Sequence, residues 1–239
     1  MKTYNIFTDE EDSIPTGKAD FLLLGNELKS YENEKVTQAL FVEAISNLDA
    51  FSSVGVLDVA EEENSSQNTK EIIAKGMSVG TSYELMGSYL ILGEDTKKRS
   101  MSKTQLLFYV GFLLEASRRF HVVLAGATQM ANCLLLADEL REKVLMRVKS
   151  DNITFATTAW AAKDKNSKIQ EILGQLSYIP HAIYTTFSLE NAEVEVLKKY
   201  DEGTIEEGIG AGASLAYATA NNRSNQELLD AIELIIYMK

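Results

Sequence analysis

Short apolar runs alternate with longer amphipathic stretches along most of this chain. Because each run is nearly continuous, without alternating polar residues, it is typical of a strand buried on both faces of a sheet. The predicted strands cover residues 20–25, 53–59, 88–93, 121–126, 153–158 and 183–187. The stretches between and after them have helical periodicity, and they predict helices at 35–51, 70–83, 103–119, 127–149, 168–176 and 226–238.

The alternation of strands and helices predicts an α/β fold. Parallel strands need crossover connections, usually helices, and these cover both faces of the sheet. We therefore expect a Rossmann-like, mostly parallel sheet with helices on both faces. Two helix starts carry polar signals: Asn68 or Thr69 can cap one helix, and Ser102 with Gln105 has the spacing of a capping box.

Length and composition suit one globular domain. Of the 239 residues, 45% are apolar and 24% are charged. The net charge of −12 argues against nucleic acid or an anionic membrane as a partner, since both attract clustered positive charge. The longest apolar run, 106–114, is too short to span a bilayer. We expect a cytoplasmic protein, because Met1 to Glu10 lacks a signal-peptide pattern and Cys133 is the single cysteine.

Polar residues and glycines follow several of the predicted strands. Ligands of parallel sheets bind beyond the carboxyl ends of the strands. That rule makes Gly93-Glu94, the turn from Gly126 to Gln129, and Thr157-Thr158 the candidate functional edge of this sheet.

A run of two acids and three alternating glycines, 206–212, precedes a predicted small-residue helix. Glycine lets a ligand approach the backbone, and a helix start offers N–H groups to an anion. Tight turns and close helix–strand packing recruit glycine too, so the string alone leaves both interpretations open.

Three segments together identify a family resemblance: Leu92 to Asp95, Leu124 to Met130, and Glu206 to Leu215. In this order they resemble the nicotinate-nucleotide:dimethylbenzimidazole phosphoribosyltransferase family, especially its archaeal-type branch. Members carry a strand-Gly-Glu loop, a Leu-Ala-Gly-Gly-Thr-Gln-Met turn and a Glu-Gly-Val-Gly-Ala-Gly segment. The resemblance covers residues 68–239, whereas residues 1–67 diverge within what we expect to be one domain, 1–239.

The resemblance implies that ribose phosphate is transferred from nicotinate mononucleotide to a benzimidazole-type base, a step in cobalamin (cobamide) biosynthesis. The expected partners are thus a small nucleotide and a heteroaromatic base, with no cofactor and no metal. Family members use the glutamate directly before the glycines as a general base, and that position is Glu207. The residues that would bind substrate, by the same comparison, are Glu94, Gly126, Thr128, Gln129, Thr158, Gly208, Gly210 and Gly212.

The chain departs from the family after Glu94. Members continue with a Pro-Gly-Gly-Thr-Thr-Thr loop, whereas this chain passes through Lys97-Lys98-Arg99 almost directly to Ser102. Either this basic trio replaces the lost phosphate donors, or nucleotide binding is reduced. The alternative function is therefore a shortened, non-catalytic homologue that binds a nucleotide or regulates a partner. A second substitution, Ala127 for glycine, is tolerated if φ is negative there.

The remaining reactive side chains favour structural roles. His121 and His181 have no partner cysteines, so we expect packing or hydrogen bonding in preference to a metal site. Cys133 shares an apolar helical stripe and is expected in the core. Trp160 either stacks on a flat heterocycle or is buried at the sheet edge. The apolar face of helix 226–238 either mediates self-association or caps the core.

Overall fold

A computed structural model describes residues 7–8, 19–24, 39–48, 53–57, 68–82, 89–94, 102–202 and 210–238. Glu207, Gly208 and the basic trio 97–99 lie outside these ranges, so the predictions made for them stay predictions.

Within the described residues, seven parallel strands form one sheet in the order β1-β7-β6-β5-β4-β2-β3. The strands are β1 (Phe7–Thr8), β2 (Ala19–Leu24), β3 (Ser53–Leu57), β4 (Tyr89–Glu94), β5 (His121–Ala125), β6 (Ile153–Thr158) and β7 (His181–Thr185). The six predicted strands are all present, and β7 begins two residues earlier than predicted. β1 is the strand that periodicity did not predict, since two residues carry no period.

The helices in the described part of the chain are α1 (Ala39–Asn47), α2 (Thr69–Ser82), α3 (Lys103–Arg119), α4 (Thr128–Glu139), α5 (Arg141–Val144), α6 (Ala159–Lys163), α7 (Ile169–Leu173), α8 (Glu195–Asp201), α9 (Ala211–Ala220) and α10 (Asn225–Met238). None of them is long and apolar enough to cross a membrane.

Apolar side chains cover both faces of the sheet, as the continuous strand pattern predicted. On one face α1, α9 and α10 pack over Ile91 and Val123. On the other face α2, α3, α4 and α7 pack over Leu90, Leu92 and Leu124. All five of these strand residues are at most 1% exposed. The predicted Rossmann-like α/β fold is therefore the observed one.

The capping box of α3 is present as predicted. The Gln105 amide N–H donates to the Ser102 hydroxyl at 3.2 Å, and the Ser102 amide N–H donates to the Gln105 side chain at 3.0 Å. These two bonds satisfy donors that a helix start leaves unpaired. At the start of α2, Asn68 is the capping residue, because its side-chain oxygen accepts from the Lys70 N–H at 3.3 Å.

The helix predicted over 127–149 was wrong in length. It ends at Glu139, and a short α5 follows and ends at Val144, just before Leu145, whose φ of 55° is left-handed. The apolar stripe runs on from Cys133 to Val144 across this break, so periodicity could not detect it. Cys133 itself lies in the core, as expected.

Glycines bring α2 and α3 into close contact. A Cβ on Gly76 would come closer than 3.0 Å to the Phe108 carbonyl oxygen, and one on Gly111 equally close to that of Ile73. The two glycines thus let the backbones of α2 and α3 touch, and the pair packs on the second face of the sheet beside α4 and α7.

The apolar face of α10 caps the core. Leu229 and Ile232 are fully buried against α1 and α9, which answers the alternative that the sequence left open for this face. The exposed apolar residues of this helix are a different set, Leu234, Tyr237 and Met238.

Candidate functional site

The strand order places a switch point between β2 and β4. From β2 the chain passes through α1 to β3, toward one end of the strand order. From β4 it passes through α3 to β5, toward the opposite end. The carboxyl ends of two such neighbouring strands open a crevice in which doubly wound proteins bind ligands. Glu94 is the last residue of β4 and pairs with Leu24, the last residue of β2. The sequence-predicted Glu94 therefore stands at this switch point.

The register aligns the other strand ends with Glu94. Gly93 pairs with Ala125, and Ala125 pairs with Ala156. Glu94, Gly126 and Thr157 consequently lie at one level on three neighbouring strands. The amide N–H of Gly126 donates to the carbonyl of Ala156 at 3.1 Å, which continues the β5–β6 ladder into the turn.

The turn after β5 opens directly into α4. Ala127 is the N-cap residue with a negative φ of −118°, the condition under which we expected alanine to be tolerated here. Thr128 and Gln129 follow in the first turn of the helix, and both are partly exposed at the edge. Alanine has no polar side chain with which to cap the N–H groups of this turn.

α9 begins beside the same strand ends. Gly210 is its N-cap residue with φ of 73°, a left-handed conformation that favours glycine. A Cβ on Gly212 would come closer than 3.0 Å to the backbone of Thr157. A tight turn therefore explains the glycine at 210, and close packing explains the glycine at 212. Both are structural roles that the sequence had left open as an alternative to ligand binding.

Thr158 has a structural role in this arrangement. Its hydroxyl accepts from the Ala161 N–H at 3.3 Å and caps α6, and the residue is 2% exposed. The predicted edge residues Glu94, Gly126, Thr128, Gln129, Thr158, Gly210 and Gly212 nevertheless come together at one end of the sheet.

Trp160 is buried, which is one of the two arrangements that the sequence allowed for it. It lies at 7% exposure and contacts the rings of Phe41 and Tyr200, with centroid separations of 6.1 and 5.8 Å. Its indole N–H has no hydrogen-bond partner among the described residues.

The two histidines lie at the opposite, amino edge of the sheet. The Thr154 hydroxyl is 3.1 Å from Nε2 of His121 and 3.3 Å from Nδ1 of His181. The Tyr89 ring meets the His121 ring edge-on, with centroids 5.6 Å apart. Burial lowers the pKa of His121, and the neighbouring His181 lowers it further. The expectation that His121 is packed and hydrogen-bonded is confirmed, and no cluster of three metal-ligating residues occurs in the described part of the chain.

A buried carboxylate that the sequence did not single out ties α4 to the loop before β7. Asp138 accepts from the backbone N–H and the hydroxyl of Ser177 at 2.7 and 2.8 Å, and from Arg141 at 2.9 Å. Burial raises the pKa of Asp138, but these hydrogen bonds and the Arg141 charge outweigh burial and hold it below its usual range. Tyr178, which follows Ser177 in the chain, has a buried hydroxyl with no partner among the described residues.

Fold and site together define a doubly wound parallel α/β protein whose candidate site lies at the carboxyl edge. The chain is 32% identical over 138 residues to a UPF0284 protein of Microcystis aeruginosa, covering 57% of this chain and 38% of that one. It is 33% identical over 122 residues to a UPF0284 protein of Methanocaldococcus jannaschii, covering 51% and 34%.

A longer match, 27% identical over 216 residues, is to a UPF0284 protein of Sulfurisphaera tokodaii and covers 90% of this chain and 55% of the relative. No family model matches the chain. The chain therefore spans between about a third and about half of the length of these curated relatives.

Proposed function

We propose that this protein binds a nicotinate-type nucleotide at the carboxyl edge of its sheet and transfers the ribose phosphate to a benzimidazole-type base. The observation that carries the proposal is a convergence. Glu94, the Gly126 turn and the start of α9 are far apart in the sequence, yet all three meet at the ends of β4, β5 and β6. The same three segments carry the family resemblance.

Two helix starts give this edge the character of a phosphate site. Ala127 and Gly210 precede α4 and α9, and neither residue has a polar side chain to cap the helix. Backbone N–H groups at a helix start can bind an anion, and the helix dipole favours negative charge there. α4 and α9 both reach β5 or β6 at this edge, so the 5′-phosphate of the nucleotide would bind near them.

Glu207 is the proposed base. It lies three residues before Gly210 in the sequence, and three residues reach at most about 11 Å, so the chain tethers it to the start of α9. In the reaction the bond from ribose C1′ to the nicotinate nitrogen breaks and its electron pair neutralises the ring. A new bond forms from C1′ to the azole nitrogen, whose proton passes to the Glu207 carboxylate. General-base assistance of this kind is worth about 10²–10⁴-fold.

The direct test follows nicotinate release by chromatography after nicotinate mononucleotide and dimethylbenzimidazole are added. We expect the wild-type chain to release nicotinate and form the ribotide. Glu207→Gln should lower kcat by about 10²–10⁴-fold and leave the affinity for the nucleotide nearly unchanged, because the amide keeps the shape but cannot take the proton.

Glu206→Gln is the matched control, since it removes the same charge one residue away. Its kcat should stay within a few-fold of wild type. Equal activity of Glu207→Gln and wild type would contradict the assignment of the base.

A second function is favoured by the connection after β4. Residues 95–101 alone link the end of β4 to the cap of α3, where family members carry a glycine–threonine loop. A chain without that loop could bind the nucleotide and not turn it over. Calorimetry separates the two: nucleotide binding without nicotinate release supports the binding protein, and no binding contradicts both.

A further inference from the structure

Trp160 carries a buried polar group that the proposed chemistry leaves unused. The residue is 93% buried, since 7% of it is exposed, and its indole N–H has no hydrogen-bond partner among the described residues. Burying a donor without an acceptor costs free energy, and buried donors in folded proteins nearly always have a partner. A donor in this state beside the candidate site is a position at which a ligand can supply the missing acceptor.

The position of Trp160 supports this reading. It follows Thr158, the last residue of β6, by two residues, and it therefore lies at the carboxyl edge. Its ring neighbours come from other segments that follow strand ends. Phe41 belongs to α1, after β2, and Tyr200 belongs to α8, after β7 and before the segment that carries Glu207.

The three rings form an aromatic cluster with edge-on and tilted contacts. Phe41 meets Trp160 at 88° and Tyr200 at 60°, with centroids 6.1 and 5.6 Å apart, and Trp160 meets Tyr200 at 47°. Aromatic rings favour such offset and edge-to-face arrangements. A flat ligand ring would make contacts of this kind, whereas a phosphate gains nothing from them and suits the starts of α4 and α9.

We propose that the indole N–H of Trp160 donates to a ring nitrogen or ring carboxylate of a heteroaromatic ligand, and that Trp160 selects ligands with such an acceptor. The inference rests on the proposed function and adds to it the part of the site that recognises the ring. The sugar phosphate and the ring are thereby recognised by separate groups, backbone N–H groups for one and Trp160 for the other.

One nuclear magnetic resonance signal tests this directly, because Trp160 is the only tryptophan of the chain. In a protein labelled with ¹⁵N, its indole N–H gives a single cross-peak. Titration with nicotinate mononucleotide or dimethylbenzimidazole should move this peak downfield as the hydrogen bond forms. Ribose 5-phosphate, which has no ring, should move backbone amide peaks and leave the indole peak in place.

Trp160→Phe keeps an aromatic ring and removes the donor. We expect it to weaken the binding of nicotinate mononucleotide about tenfold and to leave that of ribose 5-phosphate unchanged, as one lost hydrogen bond of about 1.4 kcal/mol requires. The matched control is Tyr178→Phe. It removes the other buried group that lacks a partner among the described residues, from the opposite face of the sheet, and should not alter binding.

The outcomes are distinct. Binding of the ring ligands by calorimetry with an unmoved indole peak overturns this inference and leaves the proposed function standing. Binding of neither ring ligand overturns both. If Trp160→Phe does not fold, the titration of the wild-type peak decides alone.

Discussion

Gly212 has no side chain, and this allows α9 to lie close to β6. Gly212 lies against the backbone of Thr157, and backbone cannot rotate out of the way as a side chain can. The residue therefore fixes the distance between the start of α9 and the carboxyl edge where Gly126 and Glu94 lie.

Gly212→Ala should lower the free energy of unfolding by about 1–3 kcal/mol, because the added methyl group must push α9 from the sheet. Urea denaturation measures the change. Gly174→Ala is the control: Gly174 ends α7 in a right-handed helical conformation with φ of −68°, so its variant should stay within about 1 kcal/mol of wild type. Equal stability of Gly212→Ala and wild type would contradict the close contact.

His121 makes stability depend on pH. Burial lowers its pKa and the nearby His181 lowers it further, so the folded protein binds fewer protons than the unfolded chain just below pH 6.5. The contribution of His121 to the free energy of unfolding is therefore complete above about pH 6.5, and it is lost as the pH falls through the lowered pKa.

We expect the urea concentration at the midpoint of denaturation to decrease when the pH is lowered from 7.5 to 5.5. The decrease should be smaller in His121→Gln. Glutamine can still hydrogen-bond Thr154 but does not titrate. His181→Gln should shrink the fall partly, since it removes the neighbour that lowers the pKa of His121. A pH dependence in His121→Gln as steep as in wild type would show that other groups cause it.

At the scale of elements, α2 and α3 act as one packed pair because two glycines face each other's backbone. Gly76 contacts the carbonyl of Phe108, and Gly111 that of Ile73. A methyl group at either position separates the same two helices, so the two substitutions cannot act independently.

Gly76→Ala and Gly111→Ala should each destabilise the fold by about 1–3 kcal/mol, and the double variant by clearly less than their sum. A double-mutant cycle from denaturation curves measures the coupling. Gly80→Ala is the control on the same helix and should destabilise the fold less than the other two. Its Cβ would lie 3.2 Å from the nearest atom, the Phe112 carbonyl oxygen, and alanine favours the helix. Additive effects of the first two substitutions would mean that the helices do not move apart as a unit.

The elements that sequence reasoning found are those with a long, regular pattern. Continuous apolar runs gave all six longer strands and both covered faces, and Ser102 with Gln105 gave the start of α3 to the residue. The break after Glu139 was missed because the apolar stripe continues across it. Beside the break Asp138 accepts hydrogen bonds from Ser177, a contact between distant segments that periodicity does not show.

The site was predictable in its location and only partly in its roles. Polar residues after strands located the carboxyl edge, and the register there now aligns Glu94, Gly126 and Thr157. No pattern in the sequence could tell that Thr158 caps α6, that Gly212 packs on Thr157, or that the Trp160 N–H finds no acceptor in the described part of the chain. These depend on neighbours from distant segments.

At the scale of the whole molecule, the two edges of the sheet separate different tasks. The candidate site lies at the carboxyl edge, and the His121–Thr154–His181 chain lies at the amino edge. Substitutions at the histidines are therefore expected to change stability and its pH dependence without changing ligand affinity, which keeps the two sets of experiments independent.

The pairing of β1 with β7 has a consequence for synthesis. Phe7 lies opposite Ala182, about 175 residues later in the chain. At about 5–20 residues per second, roughly 9–35 s pass on the ribosome between the synthesis of Phe7 and that of Ala182. Until β7 is made, the edge of β6 that it will cover is open, and other nascent chains can pair with it. β1, the first described strand to be translated, thus waits longest for its neighbour, and we expect misassembly of this protein to be most frequent on crowded polysomes.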